Sequence, residues 1–341
     1  MNRSNYLKAI LVGVPVFLLG VFSFIYYLFF AIPFTTGGNT YLYIDKDDTV
    51  DSVYCKLEIA GKPSQLIGIR LLWWMAGPDR VNTGRYLVNE SLSSIQLFRN
   101  LRNGAQQPVN LTIQAVRTKD RLGRSLSSKL MLDSASVVEK LRDESTCVSY
   151  GFDTITVMCM FIPNTYEMYW DVSLDDFLKR MHKEYLTFWS DGRMEQAEQI
   201  GLTPIEVATL ASIIDEETAN NAEKPRIAGM YINRLKKGMP LQADPTIKFA
   251  LQQFELRRIY HKLLNVDSPY NTYRNVGLPP GPIRIPSIAA IDAVLAYEKH
   301  DYLYMCAKED FSGTHNFAST YSEHLRNARK YTEALNKRNI K

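Results

Sequence analysis

The sequence predicts an α+β protein carried on one N-terminal apolar helix, and three observations predict it. The first is a run of 26 residues, 9–34, without a charge. The second is an alternation of short strand-like and helix-like patterns over residues 41–118. The third is a longer series of helical patterns over residues 130–341, separated by Pro- and Gly-rich loops. The predicted organisation is therefore a short tail (1–8), a transmembrane anchor (9–34), a small α/β module (41–118) and a larger α+β domain (130–341). A chain of 341 residues suits two domains at roughly 100–200 residues each. With 46% hydrophobic and 22% charged residues, neither disorder nor a collagen-like repeat fits.

Arg3 and Lys8 precede the apolar run, and Asp45 is the first charge after it. At 1.5 Å per residue about 20 apolar residues cross a hydrocarbon core, so this run spans it with some tilt. The positive flank predicts a cytoplasmic N-terminus and places residues 40–341 outside a bacterial inner membrane. Tyr26 and Tyr27 sit where an interfacial aromatic belt belongs, and Pro15 should kink the helix without preventing it. A cleaved signal peptide is the competing reading. Its apolar region usually holds about 7–15 residues and ends at a small-x-small site. Here bulky Phe29, Phe30, Ile32 and Phe34 crowd the end, which favours an uncleaved anchor.

The net charge of +4 is uneven. Residues 1–322 carry 34 basic and 34 acidic side chains, and the excess lies after Glu323, on Arg326, Arg329, Lys330, Lys337, Arg338 and Lys341. A neutral body with a basic tail does not present the basic face of a nucleic-acid protein, and the tail reads as a solvated helix face. Cys55, Cys147, Cys159 and Cys306 are scattered without zinc-ligand spacing, so no metal site is expected. Four cysteines allow three disulfide pairings; burial as small apolar residues is the simpler expectation.

Residues 35–40 read as a linker and 41–44 as a strand. Asp48 or Thr49 can cap a helix carrying Val50, Val53, Tyr54 and Leu57, closed by Gly61 and Pro63. A second helix runs through Ile67, Leu71, Leu72 and Met75 to Gly77-Pro78, and residues 84–88 return as a strand. This β-α-α-β order resembles a LysM module, a carbohydrate-binding fold, although plain packing explains the order equally well. A helix over 92–102, ended by Gly104, and a strand over 109–116 follow. The charged, Ser-rich stretch 119–129 is the expected domain boundary, and helices are expected near 132–142 and 173–190.

Thr203-Pro204-Ile205-Glu206 is a strong helix start: Thr203 caps, Pro204 suits the first turn and Glu206 completes a capping box. The helix ends in three acids, Asp215, Glu216 and Glu217. On a wheel starting at Val207, Glu216 falls at about 180°, away from the apolar stripe, and Asp215 at its edge. Glu217 falls at about 280°, between Ile213 at about 240° and Leu210 at about 300°. Desolvation there raises a carboxyl pKa above the usual ~4.3, and an acid that holds its proton near neutral pH can protonate a glycosidic oxygen. Alternatively, Glu217 pairs with a buried Arg or caps a neighbouring helix. Downstream, a helix over 225–237 ends at Gly238. Polar, Pro-restrained loops follow, offering amides and tyrosine faces suited to sugars; such loops are also common connectors.

The runs Leu210-Ala211-Ser212-Ile213-Ile214-Asp215-Glu216-Glu217-Thr218-Ala219, Asn233-Arg234-Leu235, Leu241-Gln242-Ala243-Asp244-Pro245-Thr246, Tyr270-Asn271-Thr272-Tyr273, Gly277-Leu278-Pro279-Pro280-Gly281-Pro282-Ile283 and Gly313-Thr314-His315-Asn316-Phe317 resemble the YceG-like family, in its order and spacing, from about Phe161-Ile162-Pro163 to His324. The resemblance implies an enzyme that cleaves the β-1,4 bond between N-acetylmuramic acid and N-acetylglucosamine within peptidoglycan glycan strands, leaving 1,6-anhydro ends. It implies Glu217 as the catalytic acid, no metal and no cofactor. Penicillin-binding proteins of the wall-synthesis machinery become plausible partners. Gln242, Asp244, Tyr270, Asn271, Tyr273 and His315 are then expected around the sugars, with loop scaffolding as the alternative for each, and a packed structural role for His315. Two departures stand out: Asp215 replaces a longer acid, and Met158-Cys159 stand where the family usually has Glu-Gly. A hydrolase using Asp215 or Asp244 to activate water, and a non-catalytic glycan-binding scaffold, remain the rival readings.

Overall fold

The structure is a computed structural model that describes residues 3–31, 38–61, 66–77, 81–190, 192–256 and 259–338. Residues 32–34 of the expected anchor, 35–37 of the linker, Pro63, Pro78 and Lys341 lie outside the described residues. The chain forms two units and mixes helices with short strands.

The first unit comprises Met1–Asn110 with Lys129–Met131 and Glu167–Val172. It begins with α1 (Arg3–Tyr26), which runs on through a π-helical turn, Tyr27–Ala31. Within them Ile10–Phe30, 21 residues of mean hydropathy 2.2, is long and apolar enough to cross a membrane. Then come β1 (Thr40–Ile44), α2 (Val50–Ala60), α3 (Leu66–Ala76), β2 (Gly84–Val88), α4 (Ser94–Asn103) and β3 (Val109–Thr112). β1 and β2 pair antiparallel, with Thr40 opposite Val88 and Ile44 opposite Gly84. Local chemistry sets the helix ends. Thr49 caps α2 through Ser52, Ser93 caps α4 through Gln96, and Gly104 ends α4 at φ 68°, which favours glycine. Ile44, Val53, Leu57, Ile69, Tyr86, Leu97 and Leu101 form the core.

The helix α3 stands where it was expected, but it buries another face. Leu66, Gly68, Ile69 and Trp73 point inward, whereas Ile67, Leu71 and Met75 are exposed. Apolar residues occupy nearly the whole circumference, so periodicity could not choose between faces.

The second unit comprises Leu111–Ser128, Leu132–Tyr166 and Ser173–Lys341. It contains α5 (Lys119–Ser127), α6 (Ser134–Arg142), α7 (Glu144–Ser149), the start of β4 (Thr165–Met168), α8 (Leu174–Ser190), α9 (Arg193–Ile200), α10 (Pro204–Glu217), α11 (Lys224–Lys236), α12 (Asp244–Leu251), α13 (Ile288–Leu295), an antiparallel hairpin of β5 (Tyr304–Ala307) and β6 (His315–Ala318), and α14 (Tyr321–Lys337). The stretch 119–129, expected as a domain boundary, is mostly the helix α5. Thr118 caps it, Leu122 and Leu126 are buried one turn apart, Asp120, Arg121 and Arg124 are exposed, and Lys119 turns in to the Leu141 and Thr154 carbonyls. The strand expected over 109–116 stops at Thr112. All four cysteines are free; Cys147 and Cys159 are buried as expected, but Cys55 is exposed and Cys306 half-buried. Met158 is buried beside Cys159, so the pair at this departure packs apolar surface.

α10 is the central element. The predicted box of Thr203 and Glu206 starts it, and every residue from Val207 to Ile214 is buried among α9, α11, α12 and α13. Inside it, Ser212 Oγ donates to Thr209 O (2.6 Å) and accepts from the Ile283 amide (3.0 Å), pinning the Pro-rich loop to the helix. α11 packs closely against the chain after α13. A Cβ on Gly229 would lie 2.2 Å from the Glu298 carbonyl oxygen, so α11 tolerates no side chain there. Gly229→Ala should therefore lower stability by about 1–3 kcal/mol in urea denaturation despite alanine's better helix propensity.

Candidate active site

The last turn of α10 carries three consecutive carboxylates at the negative end of the helix dipole, where negative charge is disfavoured. Two of them are neutralised. Asp215 Oδ1 meets Lys224 Nζ at 2.6 Å, and both side chains are only 6% exposed. The Ser287 amide and hydroxyl, at the start of α13, donate to the same carboxylate at 2.6 and 2.8 Å. Glu216 receives Arg117 from Nε (2.9 Å) and Nη2 (2.6 Å), and Arg284 from Nη1 (2.8 Å). The wheel turned Glu216 away from the apolar stripe; it is nonetheless mostly covered, because α10 is enclosed on all sides and two arginines reach it.

Glu217 is different. Among the described residues it forms no ion pair; its partner is the Tyr231 hydroxyl on α11, which donates to Oε1 at 2.8 Å. Burial pushes the Glu217 carboxyl up to about 7; the Tyr231 hydrogen bond opposes this, and the Asp244 carboxylate adds to it. Burial and the facing Glu217 raise the Tyr231 phenol well above its usual value, so it remains a proton donor. A carboxyl near 7 is protonated in about half the molecules at neutral pH, which suits one group to act first as acid and then as base.

Glu217 opens into a cleft of about 630 Å³. Gln242, Asp244, Tyr273 and His315 line it, so four of the six residues expected around a sugar stand with Glu217. Gln242 adopts φ 54° and accepts from Arg234 Nη2 at 3.2 Å, while Asp244 accepts the Tyr273 hydroxyl. Asp244 is the first residue of α12 and not its cap, which is Ala243. The His315 amide and Nδ1 both meet Glu223, at 2.7 and 2.9 Å. The other two expected residues lie elsewhere. Asn271 is fully buried and donates to the Leu264 and Val266 carbonyls, and the Tyr270 ring packs 4.7 Å from Phe249. Both serve the loop's own packing, because a buried amide and ring are satisfied there before any ligand arrives.

Sequence reasoning missed Tyr231, Arg234, Tyr304 and His324, which also line the cleft. Tyr231 lies within the helix expected over 225–237; the signal was its hydroxyl, which needs a partner once buried. Arg234 is 5% exposed and donates to the Leu303, Pro240 and Leu241 carbonyls at 2.7, 3.0 and 2.6 Å. Its guanidinium also lies 5.4 Å from the centre of the Tyr304 ring.

Residues 42–330 match the YceG-like family. This chain belongs to that family. A similar protein is the endolytic murein transglycosylase of Bacillus subtilis (strain 168), 31% identical over 278 residues, covering 77% of this chain and 76% of that protein. The endolytic murein transglycosylase of Streptococcus pneumoniae serotype 2 (strain D39) is 26% identical over 372 aligned residues, covering 97% of this chain and 66% of its own length. Among solved structures, a yceG-like protein from Listeria monocytogenes matches with TM-score 0.56 and 25% identity, covering 84% of this chain and 98% of that one. The YceG-like match takes in the whole of α10, the cleft-lining loops and the β5–β6 hairpin.

Because the folded Glu217 pKa of about 7 exceeds its unfolded value of 4.5, its proton stabilises the fold below pH 4.5, and that contribution is lost as pH rises through 7. Glu217→Gln should therefore melt at the wild-type temperature near pH 4 and higher at pH 8. The expected gap is on the order of 1–2 kcal/mol, discounted for the edge open to the cleft. Melting curves across that pH range check it.

Proposed function

We propose that this YceG-like chain is a peptidoglycan lytic transglycosylase that cuts within glycan strands. The observation that carries the reading is Glu217, a carboxyl poised near neutral pH with no salt-bridge partner among the described residues, facing a polar, tyrosine-lined cleft. Family membership and relatives named endolytic murein transglycosylase support the same substrate.

In this mechanism Glu217 gives its proton to the glycosidic oxygen as the bond to the N-acetylmuramic C1 breaks, and N-acetylglucosamine leaves with a free 4-hydroxyl. The carboxylate then takes the proton from the muramoyl C6 hydroxyl, whose oxygen bonds to C1 of the same ring. One carboxyl completes both steps and recovers its proton, whereas most glycosidases divide the work between two. Tyr231 holds Oε1 and steadies the carboxylate between the steps. Gln242, Asp244, Tyr273 and His315 contact the sugars from the cleft wall. Asp215 is bound to Lys224 and Ser287, which supports assigning it to structure instead of to water activation.

The same reading makes the first unit a LysM-like glycan-holding module, supported by its β-α-α-β order and paired terminal strands. It places the apolar helix as a single-pass anchor in the bacterial cytoplasmic membrane, with the N-terminus inside and the cleft outside. Newly made strands emerge there, and penicillin-binding proteins are the partners to expect.

Incubating the full chain with uncrosslinked glycan and weighing the fragments tests the enzyme. Anhydro ends that disappear in Glu217→Gln are expected. Reducing ends would make it a hydrolase, and uncut but bound glycan a scaffold. The rate should fall as pH rises above about 7, as Glu217 loses the proton it must donate. Tyr231→Phe removes a hydrogen bond that holds this pKa down, so its alkaline limb should move to higher pH, with kcat reduced roughly 10-fold.

A further inference from the structure

The first unit exposes a continuous apolar face that the proposed chemistry does not use. Ile67, Leu71, Trp74 and Met75 of α3 are 56%, 37%, 80% and 67% exposed. They follow one another at i, i+4, i+7 and i+8, which places them on one side of the helix. The opposite side, Leu66, Ile69 and Trp73, is packed in the core. Single exposed apolar residues are ordinary; a whole helical face of them marks something that covers it.

The structure also places the first turn of α3 against the end of the apolar span. Gly68 of α3 packs against the backbone of Leu28, so closely that a Cβ would lie 2.6 Å from the Leu28 carbonyl oxygen. Leu28 is in the last turn of the span, which ends at Phe30. At 1.5 Å per residue, 21 residues give about 31 Å, equal to the hydrocarbon thickness with nothing to spare. When the span is inserted, Leu28 lies within one turn of the hydrocarbon boundary, and α3 touches it there. On the wheel Gly68 borders the exposed face, so that face begins beside the span. The rings of Tyr26 and Tyr27, at the same end of the span, and of Trp74 on the α3 face are all exposed, and Tyr and Trp are the residues enriched at membrane interfaces.

We infer that α3 is an interfacial helix: its Ile67, Leu71, Trp74 and Met75 face enters the outer headgroup–acyl boundary of the bilayer that the N-terminal helix crosses. The occupant is lipid. The helix reinforces attachment already made by the span and holds the first unit down against the membrane, where a span joined by a free tether would let it swing. The inference rests on the anchor reading, and the test separates the two.

The full chain is reconstituted into phosphatidylethanolamine–phosphatidylglycerol vesicles, with or without lipids brominated at carbons 6 and 7 of the acyl chain, and floated on a density gradient. Tryptophan emission is then compared between wild type and Trp74→Phe. Trp74 is one of four tryptophans, so the brominated lipid should remove about a quarter of wild-type emission and clearly less from Trp74→Phe. Flotation with equal quenching in the two proteins overturns the interfacial helix and leaves the anchor standing. Failure to float overturns both. A Trp74 shielded from acrylamide but not quenched by lipid means that protein covers the face, which also overturns the inference.

Discussion

Three adjacent carboxylates at the negative end of a buried helix repel one another and the helix that carries them, and the second unit is organised around relieving that repulsion. Lys224 and Ser287 hold Asp215, while Arg117 and Arg284 hold Glu216. The cations come from α11, from the segment before α5 and from the loop before α13, so relieving the charge also draws these elements onto α10. The third carboxylate has a phenol in place of a cation. That difference sets one acid apart from two neighbours of the same chemistry: a cation would hold Glu217 ionised, whereas a neutral donor lets burial keep its proton.

Which parts of this were legible in the sequence follows from the range of each interaction. Helix ends were legible because caps are local: Thr203 with Glu206, and the glycine at 104, lie within a few residues of the ends they set. Glu217 was legible because its position between Ile213 and Leu210 depends only on helical periodicity. The pairing of Glu216 was not, since Arg117 lies 99 residues before it and Arg284 lies 68 after it. For Asn271 and Tyr270 composition left sugar contact and loop scaffolding open, and the structure packs both within the loop region. An amide does not announce whether it will meet a ligand or its own backbone, and Asn271 turns to Leu264 and Val266. α3 failed in another way: where every side of a helix is apolar, periodicity has nothing to measure.

The same packing rules that close the core also aim the cleft. Gly229 lets α11 approach the chain beyond α13 more closely than any side chain would permit. That approach fixes the rotation of α11, and hence the direction of Tyr231 two residues later. The phenol reaches Oε1 because the glycine behind it has no bulk. Stability and chemistry are therefore joined at one helix, and a change at Gly229 should be felt in the cleft without touching it.

Arg234 carries a consequence of a different kind. One buried guanidinium ties the Leu303 carbonyl, before the β5–β6 hairpin, to the Pro240 and Leu241 carbonyls across the cleft. Burial lowers its pKa, yet a guanidinium stays charged at every pH a protein meets. The brace is thus blind to acidity while the carboxyl beside it is tuned to respond. In the proposed cycle a proton comes and goes at Glu217, while the arginine that spans the opening keeps its charge and its carbonyl partners throughout.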